Sequence, residues 1–411
     1  MKKFSTTFLV LLVAALLAAA GIQEPKRILP TETDQAFFTR SVQEFSDHLF
    51  FAKEFEKENS MLSPLSVLLA LGMTTNGADG PTLFSMLDVL TPEEGTLEQL
   101  NDANATYLDS IHKLRDIELS IANSLWLNKR VVFDKAFLNK TQEAYHATAK
   151  TLDFSAKSSL ASINGWVKDA TRGTIPTILD AIDPASLMYL INAVYFKGDW
   201  MLPFTKESTY EQDFFLKDKS VSVPFMHQSV QLPYANAMGA QMLLMPYTNS
   251  RFALVAMLPP LDTDLSSWLA GQKEEGIFTK RLFDSVDRLQ ETSMELSFPK
   301  FESSYKDSLV DELQAMGMKM PFDAMQADFS RMTENRSKDL VIGEVLHKTF
   351  IRVDEKGSEA SAVTSVMIKM TSMPIREQFE LTFNRPFFYA IIDREARIPL
   401  FMGTMGNPRE Q

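Results

Sequence analysis

The sequence contains no cysteine in its 411 residues. Without thiols the chain can form no disulfide, no Cys-built zinc site and no cysteine nucleophile, so its stability must come from packing. Its five histidines show no metal-ligand spacing, and the G-x-S-x-G, H-E-x-x-H and Walker patterns are missing. These absences argue against a hydrolase or a metalloenzyme, and we expect no enzymatic activity and no cofactor.

Positive charge is also scarce. The chain has 41 Lys and Arg against 53 Asp and Glu, which gives a formal net charge of −12. Nucleic acids and anionic membranes bind clustered Lys and Arg, so we expect neither as a partner. The hydrophobic share of 45% is ample for a large core.

The N-terminus has the pattern of a secretory signal. Lys2 and Lys3 precede an apolar run from Phe8 to Ala20, which is shorter than the ~18 to 20 residues of a membrane span. We predict a signal peptide over residues 1–20 and a mature chain over 21–411, with a buried helix as the alternative. The protein is then secreted and extracellular, or periplasmic or at the cell surface if the source is bacterial.

Apolar patterns predict helices in the first half and strands in the second. Ser63 as N-cap and Pro64 in the first turn open a buried helix within Asn59–Met73, and a second helix covers Ser162–Ala170. Leu187–Phe196 is a continuous apolar run typical of a central strand covered on both faces. Further strands are predicted at Gln241–Met245, Phe252–Leu258, Glu295–Phe298, Phe350–Val353, Phe387–Ile392 and Leu400–Met402. With no internal repeat and no long linker, we predict a single α+β domain.

The segment Ser358–Lys369 carries two conflicting signals. Small or apolar side chains recur at every second position, at Ser358, Ala360, Ala362, Thr364, Val366 and Ile368. Gly357 on one side and Pro374 on the other are typical of a surface loop. Two interpretations remain: a plain strand, or a strand that is exposed in one state and inserted into a sheet in another.

At this point the chain resembles the serpins along nearly its whole mature length. The resemblance rests on separated motifs: Asn59 with Ser63-Pro64-Leu65-Ser66, Asn76-Gly77-Ala78, Asn192 to Trp200 with Phe204, Val353 to Ala360, Phe383-Asn384-Arg385-Pro386-Phe387, and Pro399-Leu400-Phe401-Met402-Gly403. The lysine-rich signal and the lack of cysteine favour a bacterial secreted member.

The resemblance implies a fold and a mechanism. The fold is a five-stranded mixed central sheet, a second barrel-like sheet pair, eight or nine helices and an exposed reactive-centre loop at about 355–380. The mechanism is suicide inhibition of serine proteases, with cysteine proteases as a further class of target. The cleaved loop inserts into the central sheet and traps the acyl-enzyme. Inhibitory members have neither bulk nor charge on the inward face of the hinge, and neither occurs here. The hinge residues are Glu355, Gly357, Ser358, Glu359, Ala360, Ser361, Ala362, Val363 and Thr364.

The family's usual spacing, counted from Glu355, implies a scissile bond at Thr371-Ser372. Lys369 and Arg376 are alternative bait residues for trypsin-like enzymes, and Met370 and Met373 suit elastase-like or chymotrypsin-like enzymes. The implied partner is therefore a serine protease, bound covalently by a monomeric inhibitor.

Two groups of residues are implied to control insertion. Ser63, Ser66, Asn192 and His347 would form a polar network where the central strands part, although a purely structural histidine is the alternative for His347. Trp200, with an ion pair between Lys300 and Glu355, would stand where insertion begins; a solvated charge pair is the alternative. Heparin activation is not expected, because Thr96–His112 is acidic. The alternative function is that of a non-inhibitory binding or carrier serpin.

Overall fold

The structure is a computed structural model that describes residues 33–53, 59–93, 95–114, 117–358 and 379–410. The predicted signal peptide, 1–20, lies outside these residues. So do the hinge residues from Glu359 to Thr364 and the bait candidates Lys369, Met370, Thr371, Ser372, Met373 and Arg376. The residues from Asp34 onward form one compact unit.

Nine α-helices lie among the described residues, and six of them precede Arg172. They are α1 (Asp34–Ala52), α2 (Pro64–Thr75), α3 (Gly80–Leu90), α4 (Leu97–His112), α5 (Lys135–Tyr145), α6 (Lys157–Ala170), α7 (Leu265–Glu274), α8 (Phe278–Val286) and α9 (Val310–Ala315). Every residue of α2 is buried, as its apolar sequence predicts. Ser63 stands at the N-cap of α2, but its side chain makes no capping hydrogen bond.

Fifteen strands lie in the same described ranges. They are β1 (Asn59–Leu62), β2 (Glu118–Asn128), β3 (Thr148–Leu152), β4 (Met188–Asp199), β5 (Thr209–Phe215), β6 (Ser220–Ala237), β7 (Ala240–Pro246), β8 (Phe252–Leu258), β9 (Gln290–Pro299), β10 (Phe301–Ser308), β11 (Leu346–Val353), β12 (Gly357–Ser358), β13 (Phe379–Thr382), β14 (Phe387–Asp393) and β15 (Ile398–Met405). All seven apolar runs that predict strands lie on strands. The sequence patterns missed the long strands β2, β6 and β10.

The central sheet has the order β10-β11-β12-β4-β2-β3. The β2–β3 pair is parallel and the other pairs are antiparallel, so the sheet is mixed. Five strands are long, and β12 is a two-residue strand between β11 and β4. Elsewhere β4 and β11 approach within 8 Å between Cα atoms. A strand between them would hold them about 9.6 Å apart, so over part of their length they are direct neighbours.

The second sheet has the order β1-β15-β14-β8-β7-β6-β9-β13, with β5 paired to β6. The long strand β6 pairs with β5 in its first half and with β7 in its second half. The predicted barrel-like pair is therefore joined through β6 into one hydrogen-bonded network. Strand β13, which follows the reactive-loop region in sequence, lies at its edge.

The central sheet separates two hydrophobic clusters. Ile191 and Ala193 of β4 pack in a small cluster with Ile163 and Val167 of α6. The alternate residues of β4, such as Val194, belong to the main core, on the side of α2. Strand β4 is thus covered on both faces, as its continuous apolar run predicts. Within the described ranges, no helix has the length and apolar character that crossing a membrane requires.

Candidate insertion site in the central sheet

The chain leaves β11, turns sharply and re-enters the sheet as β12. The turn is closed by a hydrogen bond from Asp354 N to Gly357 O at 3.0 Å, and the Asp354 carboxylate accepts from Lys356 N at 2.9 Å. Ser358 then pairs with Val353 of β11 and with Gly198 of β4. The boundary between β11 and β4, which we call the gap, is therefore already occupied at one end by two residues. We call this end the upper end of the gap.

Two glycines allow this close approach. A Cβ on Gly357 would lie 2.0 Å from Gly198 O and 2.8 Å from Asp199 Cα, which are backbone atoms that cannot turn away. A Cβ on Gly198 would lie 2.8 Å from the ring of Tyr247. Any side chain at Gly357 would therefore push β12 away from β4.

Glu355 anchors the turn with its side chain and its backbone. Its carboxylate accepts hydrogen bonds from Lys300 Nζ at 2.8 and 3.0 Å and from Thr209 Oγ1 at 2.9 Å. Its carbonyl accepts from Phe204 N at 2.8 Å. Burial opposes ionisation of Glu355, but the ammonium of Lys300 and the hydroxyl of Thr209 outweigh it and hold the pKa below its usual value. The ion pair between Lys300 and Glu355 is thus present, and Glu355 is only 5% exposed.

Trp200 covers the same turn. Its indole Nε1 donates to Asp354 O at 2.9 Å, and its backbone N–H donates to Lys356 O at 2.7 Å. Its ring stacks on Tyr247 with 4.7 Å between centroids, and the Tyr247 hydroxyl is 2.7 Å from Ser358 Oγ. Burial raises the pKa of Tyr247, although the bond to Ser358 opposes this, so the hydroxyl stays protonated. The first residues of β12 are therefore held by aromatic rings as well as by strand pairing.

Further along the gap, a chain of polar side chains links α2 to β4 and β2. Ser66 Oγ donates to Asn192 Oδ1, Asn192 Nδ2 donates to Asn123 Oδ1 at 2.7 Å, and Asn123 Nδ2 donates to Tyr145 O at 3.0 Å. All of these side chains are buried. Each buried polar group named here has its partner, so the network resists rearrangement.

His347 lies on the other side of the gap, on β11. Its Nε2 accepts a hydrogen bond from Ser63 N at 3.1 Å, which requires this nitrogen to be unprotonated. Burial lowers the pKa of His347 to about 4; Lys53 lowers it further and Asp307 partly opposes this. His347 is therefore neutral at physiological pH. The structure brings these four residues together in two separate contacts, Ser66 with Asn192 and Ser63 with His347, and Ser63 contacts His347 through its backbone N–H rather than its hydroxyl.

Sequence reasoning missed Asn123, Thr209 and Tyr247. Asn123 interrupts the apolar pattern of β2, and a polar residue in a buried strand is a signal that could have identified it. Thr209 and Tyr247 have no such signal, because they reach the site from strands or loops far away in sequence. Among the described residues, no group of His, Asp or Glu side chains could hold a metal ion.

Comparison with known proteins identifies the family. Residues 40–408 match the family model described as Serpin (serine protease inhibitor). Antithrombin-III of Mus musculus is 31% identical over 382 residues, which cover 90% of this chain and 80% of that protein. The chain therefore belongs to the serpins, a family of serine protease inhibitors.

Solved structures agree with this fold. The thermophilic serpin tengpin in its native state is 34% identical with a TM-score of 0.81, covering 94% of this chain and 96% of tengpin. Tengpin in its latent state gives a TM-score of 0.77. Human thyroxine-binding globulin complexed with thyroxine is 26% identical with a TM-score of 0.81, covering 92% of this chain and all of that chain. The similar structures thus include a thyroxine-binding protein.

Proposed function

We propose that this serpin is an irreversible suicide inhibitor of serine endopeptidases. A protease attacks the loop as a substrate, most favourably at Thr371-Ser372. Its serine hydroxyl becomes acylated by Thr371, and the amine of Ser372 leaves. The loop then inserts between β11 and β4 and carries the acyl-enzyme with it. The observation that carries this proposal is β12, because the chain already pairs with both neighbouring strands where insertion would begin.

The register of β12 supports insertion of the following residues. Ser358 pairs with Gly198 on one side and Val353 on the other. An antiparallel strand continued in the same register would bring Thr364 opposite both Asn192 and His347. Antiparallel partners share a face, so Ala360, Ala362 and Thr364 would face α2 together with Ser358. These are the positions at which the sequence has only small side chains.

The free energy of insertion is favourable on this geometry. About a dozen new sheet hydrogen bonds at roughly 0.5 to 1.5 kcal/mol each give on the order of 10 kcal/mol. The uncleaved protein is then metastable and kinetically trapped. The same insertion moves the acylated end by roughly 43 Å, since each strand residue advances about 3.3 Å.

Carrier activity is the second candidate function, and the similarity to thyroxine-binding globulin is the observation that favours it. The small inward-facing residues of the hinge favour inhibition, because small side chains let the loop enter the sheet. We also propose that the mature protein is secreted, on the basis of its N-terminal pattern, and that it acts as a monomer, because one loop traps one protease.

The first experiment mixes the mature protein with elastase, subtilisin, trypsin and chymotrypsin, followed by denaturing gels and mass spectrometry of the released peptide. We expect a stable complex of summed mass and a peptide that begins at Ser372 or at a residue after one of the alternative bait positions. Cleavage without a complex for every enzyme would refute inhibition of these proteases and favour the carrier alternative.

A matched pair of variants tests the insertion step. Thr364→Arg puts a charge on the inward face, opposite Asn192 and His347, so we expect cleavage without trapping. Ser365→Arg puts the same charge on the outward face and should still trap the protease. Equal stoichiometries of inhibition for both variants would contradict the proposed register.

A further inference from the structure

A cleft of about 770 Å³ lies between the second sheet and α7, where three segments far apart in sequence meet. One segment contains Phe215 at the end of β5, another contains Leu261 in the loop before α7, and the third contains Arg385 between β13 and β14. The volume is within the range of cavities that hold small organic molecules. No step of the proposed insertion involves this cleft, so its chemistry needs a separate explanation.

The walls of the cleft are mainly apolar. Leu265 and Leu269 of α7 line it and are buried. Phe215 and Leu261 line it as well, but their side chains are 51% and 86% exposed, so they lie at its opening. Large apolar side chains gain free energy when they are covered, and an exposed apolar patch beside a cleft is typical of a binding site. The walls therefore favour a ligand with an apolar part.

Arg385 gives the cleft a positive charge that has no counter-ion among the described residues. One of its terminal nitrogens donates to Pro259 O at 2.6 Å, whereas its Nε is buried and has no acceptor there. Burial alone lowers the pKa of Arg385, because no carboxylate compensates the desolvation of this cation, but an arginine still stays charged. A half-buried guanidinium without a partner favours an anionic group as ligand.

The other charged side chains of the cleft are exposed. Lys217 adds a positive charge, and Asp262 and Asp264 add negative charges. The Asp264 carboxylate is engaged at the start of α7, where it accepts from Ser267 N at 2.8 Å. Water and salt screen these exposed charges more than the half-buried Arg385. Because the whole chain carries a net charge of −12, a bare anion would be repelled, and an apolar tail has to supply most of the affinity.

We propose that this cleft binds a single-chain carboxylate amphiphile, such as a fatty acid, with its carboxylate at Arg385 and its chain against Phe215 and Leu261. The carboxylate accepts from the guanidinium and supplies the missing counter-ion. The alkyl chain covers the two exposed apolar side chains. An amphiphilic cation lacks the first feature and a short carboxylate lacks the second, so neither should bind. The site does not involve the reactive loop, and the inference is independent of the proposed inhibition.

Isothermal titration calorimetry of the full mature protein with dodecanoate, below its micelle concentration, tests the site. Dodecyltrimethylammonium has the same chain with the opposite charge, and acetate has the same head group without the chain. We expect one dodecanoate per protein and no binding of the other two compounds. Each buried methylene strengthens binding about fourfold, so decanoate should bind about 15-fold more weakly. Absence of dodecanoate binding, or equal binding of dodecyltrimethylammonium, would overturn the proposal.

Two variants locate the site, each with a matched control. Arg385→Gln should weaken dodecanoate binding roughly ten- to hundredfold, whereas Arg288→Gln changes the net charge equally at an exposed residue outside the cleft. Leu261→Asn should weaken it roughly three- to tenfold, and its control is Met325→Asn, at a 92% exposed side chain outside the cleft. Because Arg385 also holds Pro259 O, Leu261→Asn keeps the test valid if Arg385→Gln does not fold. Unchanged affinity in a folded cleft variant, or an equal loss in its control, would overturn the assignment.

Discussion

The upper end of the gap between β11 and β4 and its middle are held in different ways. At the upper end, a charged pair, a tryptophan and two glycines fix β12 in one register. In the middle, the strands are held by neutral groups, namely Asn192, Ser66 and an unprotonated His347. A fixed upper end gives insertion a defined starting register, and a neutral middle can accept Thr364 without burying a charge.

The largest expected effect is on the pH dependence of stability, which should differ between the two regions. The pKa of His347 is about 4 in the folded state against 6.5 for an ordinary histidine, so the unfolded state binds a proton that the folded state excludes. The contribution of His347 to stability is therefore full above pH 6.5 and falls by about 3 kcal/mol as the pH drops toward 4. The pKa of Glu355 is lowered, so its contribution is lost only below its ordinary value of 4.5. Mild acid should weaken the middle of the gap before the upper end.

Urea unfolding of His347→Gln across this range measures the effect. We expect the unfolding free energy of wild type minus that of His347→Gln to fall by about 3 kcal/mol between pH 6.5 and 4, whereas the difference between wild type and His48→Gln, on the exposed side of α1, should stay nearly constant. Burial raises the pKa of Asp47 to about 7, which gives a slope of opposite sign. That slope is common to all three proteins and cancels in the comparison. Parallel pH profiles for wild type and His347→Gln would contradict the prediction.

Gly357→Ala should disrupt the upper end alone. The new Cβ would stand 2.0 Å from a backbone oxygen of Gly198, and overpacking of this kind costs about 2 to 3 kcal/mol. We expect lower thermal stability and faster hydrogen exchange at Ser358. Gly165→Ala in α6 is the control, since a Cβ there meets no atom within 4 Å. An unchanged exchange rate at Ser358 would mean that close contact with Gly198 does not fix β12.

These two regions also differ in how far the sequence predicts them. The strands β4 and β14 were found because continuous apolar runs identify buried strands locally. Strand β6 was missed because it runs along both halves of the second sheet, so its side chains change between buried and exposed without a single period. The pairing of Gly357 with Asp199 joins residues far apart in sequence, so no local pattern could reveal it. Resemblance to serpins supplied Lys300 and His347, whereas Asn123 and Tyr247 needed the structure.

Lys300→Met should weaken the upper end by removing the partner of a buried carboxylate. Loss of one member of a buried pair costs 3 to 5 kcal/mol, and the 34% exposure of the Lys300 side chain reduces this to about 2 kcal/mol. Lys129→Met breaks the exposed pair with Asp153 and should change the unfolding midpoint little. If Lys300→Met and Lys129→Met shift the midpoint equally, the Lys300 pair is an ordinary surface contact.

The smallest effect should come from Ser66→Ala in the middle of the gap. This variant leaves Asn192 Oδ1 without its donor from α2, and an unsatisfied buried acceptor costs about 1 kcal/mol or slightly more. Ser162→Ala on the exposed side of α6 serves as the control for loss of a hydroxyl. If the Asn192 network holds the strands together, Ser66→Ala should also speed loop insertion after cleavage, measured by the rise in thermal stability with time. A destabilised variant that inserts no faster would show that Ser66 supports the fold without restraining the gap, and control of insertion would then belong to the upper end alone.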